Sequence, residues 1–200
     1  RINDPLERYG VVRALSAIRR CDVALVVIDA TEEATEQDTK IAGLVHEEGK
    51  GSILVMNKWD KIEKETNTMK EYRRRLMNEL SFMTYAPSIF ISAKTGQRVE
   101  RIMELVRAVY NQCTFRISTG VLNDCLADAI AVNEPPTDRG KRLKILYGTQ
   151  VSVKPPTFVL FVNDPELMHF SYRRYLENYF RKTFGLEGTP LRIIVREKTK

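Results

Sequence analysis

Two short strings carry side chains that can do chemistry. "NKWD", residues 57–60, follows one apolar run, and "SAK", residues 92–94, follows another. In open parallel sheets, ligands bind beyond the carboxyl ends of the strands, so polar groups there are placed for recognition. A carboxylate such as Asp60 can accept from two adjacent donors at once, as a charge-assisted bidentate pair. Guanine offers that pair in its N1–H and exocyclic amine, with O6 as an acceptor beside them. Adenine lacks the matching donors and would leave the carboxylate unpaired, a mismatch worth about 10⁴-fold in sites built on polar readout. Asn57 would hydrogen-bond the base and tie neighbouring loops together. Lys58 and Lys94 would lay their aliphatic stems over the ring faces, and the Ala93 N–H, held next to Ser92, would reach O6. Asn and Asp also commonly start turns after strands. An Asn-Lys-x-Asp string arises by chance in roughly a few per cent of chains this long. The buried strand before it, and Ser-Ala-Lys one strand–helix unit later, favour guanine recognition.

The elements that must position these strings read clearly. "VVRALSAIRR" (11–20) has Val11, Leu15 and Ile18 at helical spacing. "VALVVID" (23–29) and "SILVMN" (52–57) are continuous apolar runs, as strands covered on both faces must be. A helix is expected over 35–47. Another is expected over 68–83, where Thr68 and Glu71 have the spacing of a capping box. "SIFISA" (88–93) predicts a third strand and 98–111 a further helix. This alternation predicts a parallel sheet with flanking helices.

The rhythm changes after Cys113. Ser118 or Thr119 can cap a helix, 133–141 reads as a loop, and strands are expected over 142–153 and 157–162. A helix over 171–184 and a strand over 191–196 complete the order helix-strand-strand-helix-strand. That order belongs to a small α+β domain, and the boundary is set at 1–113 and 114–200. Tyr172, Tyr175 and Tyr179 are spaced as a core stripe rather than as a platform for bases.

Composition narrows the function classes. No apolar run is long enough to span a membrane. Cys21, Cys113 and Cys125 form neither a disulfide framework nor a zinc pattern, which points to a reduced, cytoplasmic compartment. His46 and His169 are too few and too far apart for a metal site. Residues 1–113 hold 18 Lys+Arg against 17 Asp+Glu, and residues 114–200 hold 14 against 9. The basic excess therefore sits in the second part, where it suits either a polyanionic partner or a solvated surface.

With these residues in view, the chain resembles the translation-factor-related GTPases. It resembles more closely the double-GTPase ribosome-assembly family called Der or EngA. "NKWD" and "SAK" resemble the superfamily's base-recognition motifs. "LERYGVVRALSAI", "IDATEEATEQD", "VLNDCLADAI", "LKILYGTQVSVKPPTFVLFVNDPELMHFSYRRYLEN" and "GLEGTPLRI" resemble that family's second GTPase domain and its KH-like domain. The resemblance implies an α/β fold: an incomplete P-loop GTPase-type parallel sheet followed by a small α+β KH-like domain. It also implies GTP or GDP as ligand, a monomer, and a cytoplasmic role with ribosomal RNA in assembly of the large ribosomal subunit.

GTP hydrolysis also needs a glycine-rich loop with Lys and Ser/Thr to cradle phosphates and Mg²⁺. No G-x-x-x-x-G-K-[ST] occurs in these residues. No catalytic residue is therefore assigned here, Mg²⁺ is expected only in an intact protein, and these residues alone are expected to be inactive. The resemblance implies a strand order in which the strand carrying that loop pairs beside "VALVVID", which without it is expected to become an edge prone to aggregation.

In the second part, "GLEG" (185–188) has the form of a KH clamp. It precedes a strand, however, and Glu187 would repel phosphate, so it reads as a helix C-cap and turn. Arg173, Arg174, Arg181 and Lys182 on the last helix are candidate phosphate contacts to RNA, with Arg192, Arg196, Lys198 and Lys200 following. The rival reading is a non-enzymatic RNA- or ribosome-binding module in which the α/β half is a scaffold.

Overall fold

A computed structural model describes residues 5–32, 34–138 and 140–198; Lys200 lies outside them. The chain divides into two compact units. One runs to Asn111 and also takes in Glu187–Pro190; the other comprises Gln112–Leu186 and the chain from Leu191.

The first unit contains α1 (Pro5–Arg20), β1 (Val23–Asp29), α2 (Glu36–Glu47), β2 (Gly51–Asn57), α3 (Thr68–Glu79), β3 (Ser88–Phe90) and most of α4 (Arg101–Thr114). Its sheet is parallel, in the order β1-β2-β3. β2 is central and buried from Gly51 to Met56, as its unbroken apolar run requires. β1 alternates instead: Val26 and Ile28 are buried, while Leu25 is 42% and Val27 56% exposed. Among the described residues β1 pairs only with β2, so it is an edge with one face open.

Four local expectations need correcting. Thr68 forms no capping box, because its hydroxyl is engaged by Glu65, accepting from the Glu65 N–H at 2.7 Å and donating to its carbonyl. The reciprocal box forms at Thr35 and Asp38, at the start of α2. α3 ends at Glu79 rather than 83, and Ser81–Met83 tighten into a 3₁₀ turn. α4 starts at Arg101 because Arg98 takes φ 59°, which no α-helix admits. The third strand is shorter than expected, leaving regular pairing after Phe90.

Segment 187–190 closes the lower end of β2. The Ser52 N–H donates to the Gly188 carbonyl at 2.7 Å, and the Gly188 N–H donates to the Tyr85 carbonyl at 2.7 Å. Gly188 has φ 76°, and a Cβ there would stand 2.3 Å from Val109 Cγ2. Only glycine suits both the backbone angle and the space.

The second unit contains α5 (Thr119–Val132), β4 (Thr137–Asp138), β5 (Lys141–Arg142), β6 (Ile145–Ser152), β7 (Thr157–Val162), α6 (Phe170–Phe184) and β8 (Arg192–Glu197). Ser118 caps α5, accepting from the Val121 N–H. The 133–141 loop holds the small antiparallel hairpin β4–β5, which polar composition concealed. β6 and β7 pair antiparallel, and β7 and β8 pair parallel. One sheet face packs Phe158, Leu160 and Val162 against Leu122, Leu126, Leu176 and Phe180 of the helices. At Gly148 a Cβ would meet Leu126 and Leu160, both at 2.8 Å, so its absence lets α5 approach β6. The Asn123 amide uses that closeness, donating to the Gly148 carbonyl and accepting from its N–H at 2.8 Å.

The tyrosine stripe of α6 belongs to this core. Tyr172 is buried and donates to the Asn133 carbonyl, and Tyr175 donates to the Ala129 carbonyl. "GLEG" is a helix end: Gly185 has φ 67°, and its N–H returns to the Arg181 carbonyl.

Candidate functional site

The site is built where β2 ends. Asp29 and Asn57 close β1 and β2 in matched register, so their side chains arrive together at the sheet's carboxyl edge. Lys58 then takes φ 61°, turning the chain into a 3₁₀ turn over Trp59–Lys61. Trp59 anchors that turn. It is 2% exposed, and its ring lies edge-on to Tyr72 at 5.2 Å and tilted against Phe90 at 4.6 Å. With Trp59 pinned inward, Asp60 stands exposed at the rim.

The second string is brought alongside by backbone bonds. The Ile91 N–H donates to the Met56 carbonyl at 2.8 Å, and the Trp59 N–H donates to the Ile91 carbonyl at 3.0 Å. The chain leaves the regular ladder after β3 yet stays bound to the β2 end, which delivers Ser92, Ala93 and Lys94 to the same place. Asn57 Oδ1 accepts from the Ala93 N–H at 3.0 Å. The Ser92 hydroxyl, fully buried, accepts from the Thr95 N–H at 3.1 Å. It also hydrogen-bonds the Asp60 carboxylate, which holds that carboxyl below its usual range. Burial opposes this shift, while Asp60's own backbone N–H, Lys94 and Lys61 reinforce it. Asp60 is therefore an anchored, ionised acceptor at neutral pH. Asn57, Lys58, Asp60, Lys61 and Lys94 line a cavity of about 310 Å³.

All six predicted residues, Asn57, Lys58, Asp60, Ser92, Ala93 and Lys94, thus converge on one rim. Sequence reasoning missed Asp29. Its carboxylate pairs with the Lys58 ammonium and accepts from the Thr31 N–H and hydroxyl at 3.0 and 2.7 Å. The Lys58 bond, then those from Thr31, lower its pKa to about 2. The pair holds the Lys58 stem in place across the strand ends. An acid ending the strand beside "NKWD", at the same register, was the available signal.

The cations of α6 differ in exposure and in partners. Arg174 and Lys182 are exposed, and Arg173 is half-buried. Arg181 donates to the Leu186 carbonyl and so braces the turn after the helix. Between them Glu177 has its carboxyl raised by burial, an effect that Arg173, Arg181 and Arg174 counter. Among the described residues no group of His, Cys, Asp or Glu could hold a metal ion, and no helix is long and apolar enough to cross a membrane.

Residues 11–112 match the model of the elongation factor Tu GTP binding domain. Residues 116–196 match the KH-domain-like family of EngA bacterial GTPase enzymes, C-terminal. The class is thus a GTP-binding domain of translation-factor type joined to a KH-like domain. GTPase Der of Acetivibrio thermocellus is 62% identical over 200 residues, covering 100% of this chain and 46% of the relative. GTPase Der of Ruminiclostridium cellulolyticum is 58% identical, covering 100% and 45%. Era of Aquifex aeolicus, solved with GDP and AlF₄⁻, is 17% identical over 99% of this chain and 72% of its own, with a TM-score of 0.45. The chain belongs to the Der/EngA family of GTPases, and it spans less than half the length of the curated relatives it matches.

Proposed function

We propose that the first unit binds the base of a guanine nucleotide, GTP or GDP, and that the protein acts as a GTPase in assembly of the large ribosomal subunit. The carrying observation is the join between the two strings. Asn57 holds the Ala93 N–H, and Ser92 holds the Asp60 carboxylate, around one cavity. In this reading Asp60 accepts from guanine N1–H and the exocyclic amine, and the Ala93 N–H, which donates to Asn57 Oδ1 in this structure, turns to O6 when the base binds. Lys58 and Lys94 flank the ring, with Lys58 steadied by Asp29.

Hydrolysis assigns no step to these residues. Phosphate and Mg²⁺ chemistry belongs to a glycine-rich loop of the kind these 200 residues do not contain. Ribosomal RNA is the proposed partner of the second unit, met in part by the exposed charges of Arg174 and Lys182 on α6. The proposed setting is the cytoplasm.

Asp60→Asn in a protein that also carries the phosphate-binding elements tests the reading. An amide donates where the carboxylate accepts, so preference should pass from guanosine to xanthosine nucleotides by about 10³-fold or more. Competition binding with GDP and xanthosine diphosphate reads this directly. Retained guanine preference would remove Asp60 from the site.

A further inference from the structure

The sheet of the second unit turns one face to α5 and α6, and its other face is buried at Val159 but open at Tyr147 and Ile194. On the open face, Tyr147 of β6 and Phe161 of β7 are register partners. Their rings stack with centroids 4.5 Å apart and planes 18° from parallel. Cross-strand aromatic pairs stabilise sheets wherever they occur, so the pair alone implies no ligand. Its surroundings go further. β8 lies on the other side of β7, and its register with Phe161 and Val159 puts Arg196 and Ile194 on the same face. Lys198 follows β8 and brings its ammonium to 5.9 Å from the Tyr147 ring centroid. Lys144 joins this end, its N–H bonded to the Asn163 side chain just past β7.

Acids are missing from this face. β6, β7 and β8 contain a single one, Glu197, whose partner Val162 belongs to the helix-side core. Asp164, beyond β7, turns its carboxylate to the Glu166 N–H. The face therefore combines an aromatic pair, with Tyr147 38% exposed and Phe161 half-buried, an exposed Ile194, and uncompensated cations at one end.

We propose that this open face binds single-stranded nucleic acid. A base stacks on the Tyr147–Phe161 pair while Arg196, Lys198 and Lys144 meet the flanking phosphates. Bases of every kind present a π face, so stacking beside a cationic track binds strands with little regard to sequence. Lys198 already lies over the ring. An incoming base would take its place and leave the ammonium beside a phosphate. This site is separate from the α6 cations and from the nucleotide pocket, and neither of those readings supports or needs it.

The test is fluorescence anisotropy of a labelled short oligouridine with the whole chain, at several salt concentrations. Tyr147→Ala should weaken binding about tenfold, while Tyr147→Phe, which keeps the ring, should bind as the unmodified protein does. Arg196→Ala and Lys198→Ala should each reduce the slope of log affinity against log salt by about 0.7. A short oligodeoxythymidine run in parallel separates RNA from DNA as the source of the strand, and binding of either sustains the proposal. Circular dichroism of each variant checks that the sheet is intact. Four outcomes would overturn the proposal: no binding of either strand, Tyr147→Ala binding unimpaired, duplex RNA binding as tightly as single strands, or an oligoglutamate peptide showing the same dependence on Tyr147.

Discussion

In the first unit, the polar side chains that converge stand at the carboxyl ends of β1 and β2 and just past β3. In the second unit, the exposed aromatic and cationic side chains stand on the face of β6, β7 and β8. The difference follows from how each sheet is covered. β2 is buried on both faces, so its backbone direction leaves only its ends for recognition, and Asn57 and its neighbours occupy one of them. The second sheet uses one face for its core, and on the other, Tyr147, Ile194 and Arg196 alternate outward around a buried Val159. A parallel sheet thus recognises with turns, where a few side chains are held singly by backbone bonds. The mixed sheet offers an area, where strand register alone sets the spacing.

The comparison predicts that the two units can be disturbed separately. Trp59, the sole tryptophan, reports on the first unit. The largest effect should come from Gly188→Ala, which sets a Cβ against Val109 and imposes a left-handed angle on a side chain. Loss of about 3 kcal/mol is expected, seen as earlier denaturant unfolding by Trp59 fluorescence. An unchanged Trp59 transition would show that segment 187–190 does not support the first unit. Next comes Gln150→Leu. The buried Gln150 amide accepts from the Ile117 N–H at 2.7 Å and donates to the Phe115 carbonyl at 3.0 Å. Removing it leaves a buried donor unpaired, at about 2 kcal/mol. Hydrogen exchange should rise in α5 and β6 while Trp59 stays unaffected; equal loss in both units would mean that they unfold as one.

The smallest effects are set by pH, and they differ in sign between the units. Asp29 has its carboxyl lowered from 3.8 to about 2 by Lys58 and Thr31. Its contribution is therefore present above about pH 4 and is lost as pH falls through about 2. Tyr172 has its phenol raised from 10.0 to about 12, chiefly by burial. The unfolded chain ionises first, so the second unit weakens as pH rises from about 10 toward 12. Carboxyl and tyrosine signals followed by NMR titration would check each midpoint. A Tyr172 that ionised at its ordinary value would contradict its burial.

Much of this was legible beforehand because apolar runs and their spacing determine which elements can be buried. β1 and β2 lie within a residue of their expected limits, and the order of the second unit is as its pattern implies. The convergence of "NKWD" and "SAK" could be foreseen because both follow neighbouring parallel strands. Several features depend on tertiary partners that a local window does not contain. Thr68 carries a capping pattern but is claimed by Glu65, and Asp29 gains its role only by register with Asn57. Tyr147 and Phe161 looked like ordinary strand residues until pairing set them face to face. Arg181 read as a candidate phosphate contact, and nothing local showed that the chain would turn back after Gly185 and offer it the Leu186 carbonyl.

Gly188 has one more consequence, for the order in which the molecule can mature. Its carbonyl and N–H hold Ser52 and Tyr85, so the first unit lacks a structural piece until synthesis has passed residue 190. A chain emerging from the ribosome can pair β1, β2 and β3 early, but that lower edge stays unfinished while the second unit is still being made. The pocket at the opposite end of β2 is built from Asn57 to Lys94 and draws nothing from that segment. Synthesis through Pro190 thereby becomes a condition for a finished first unit.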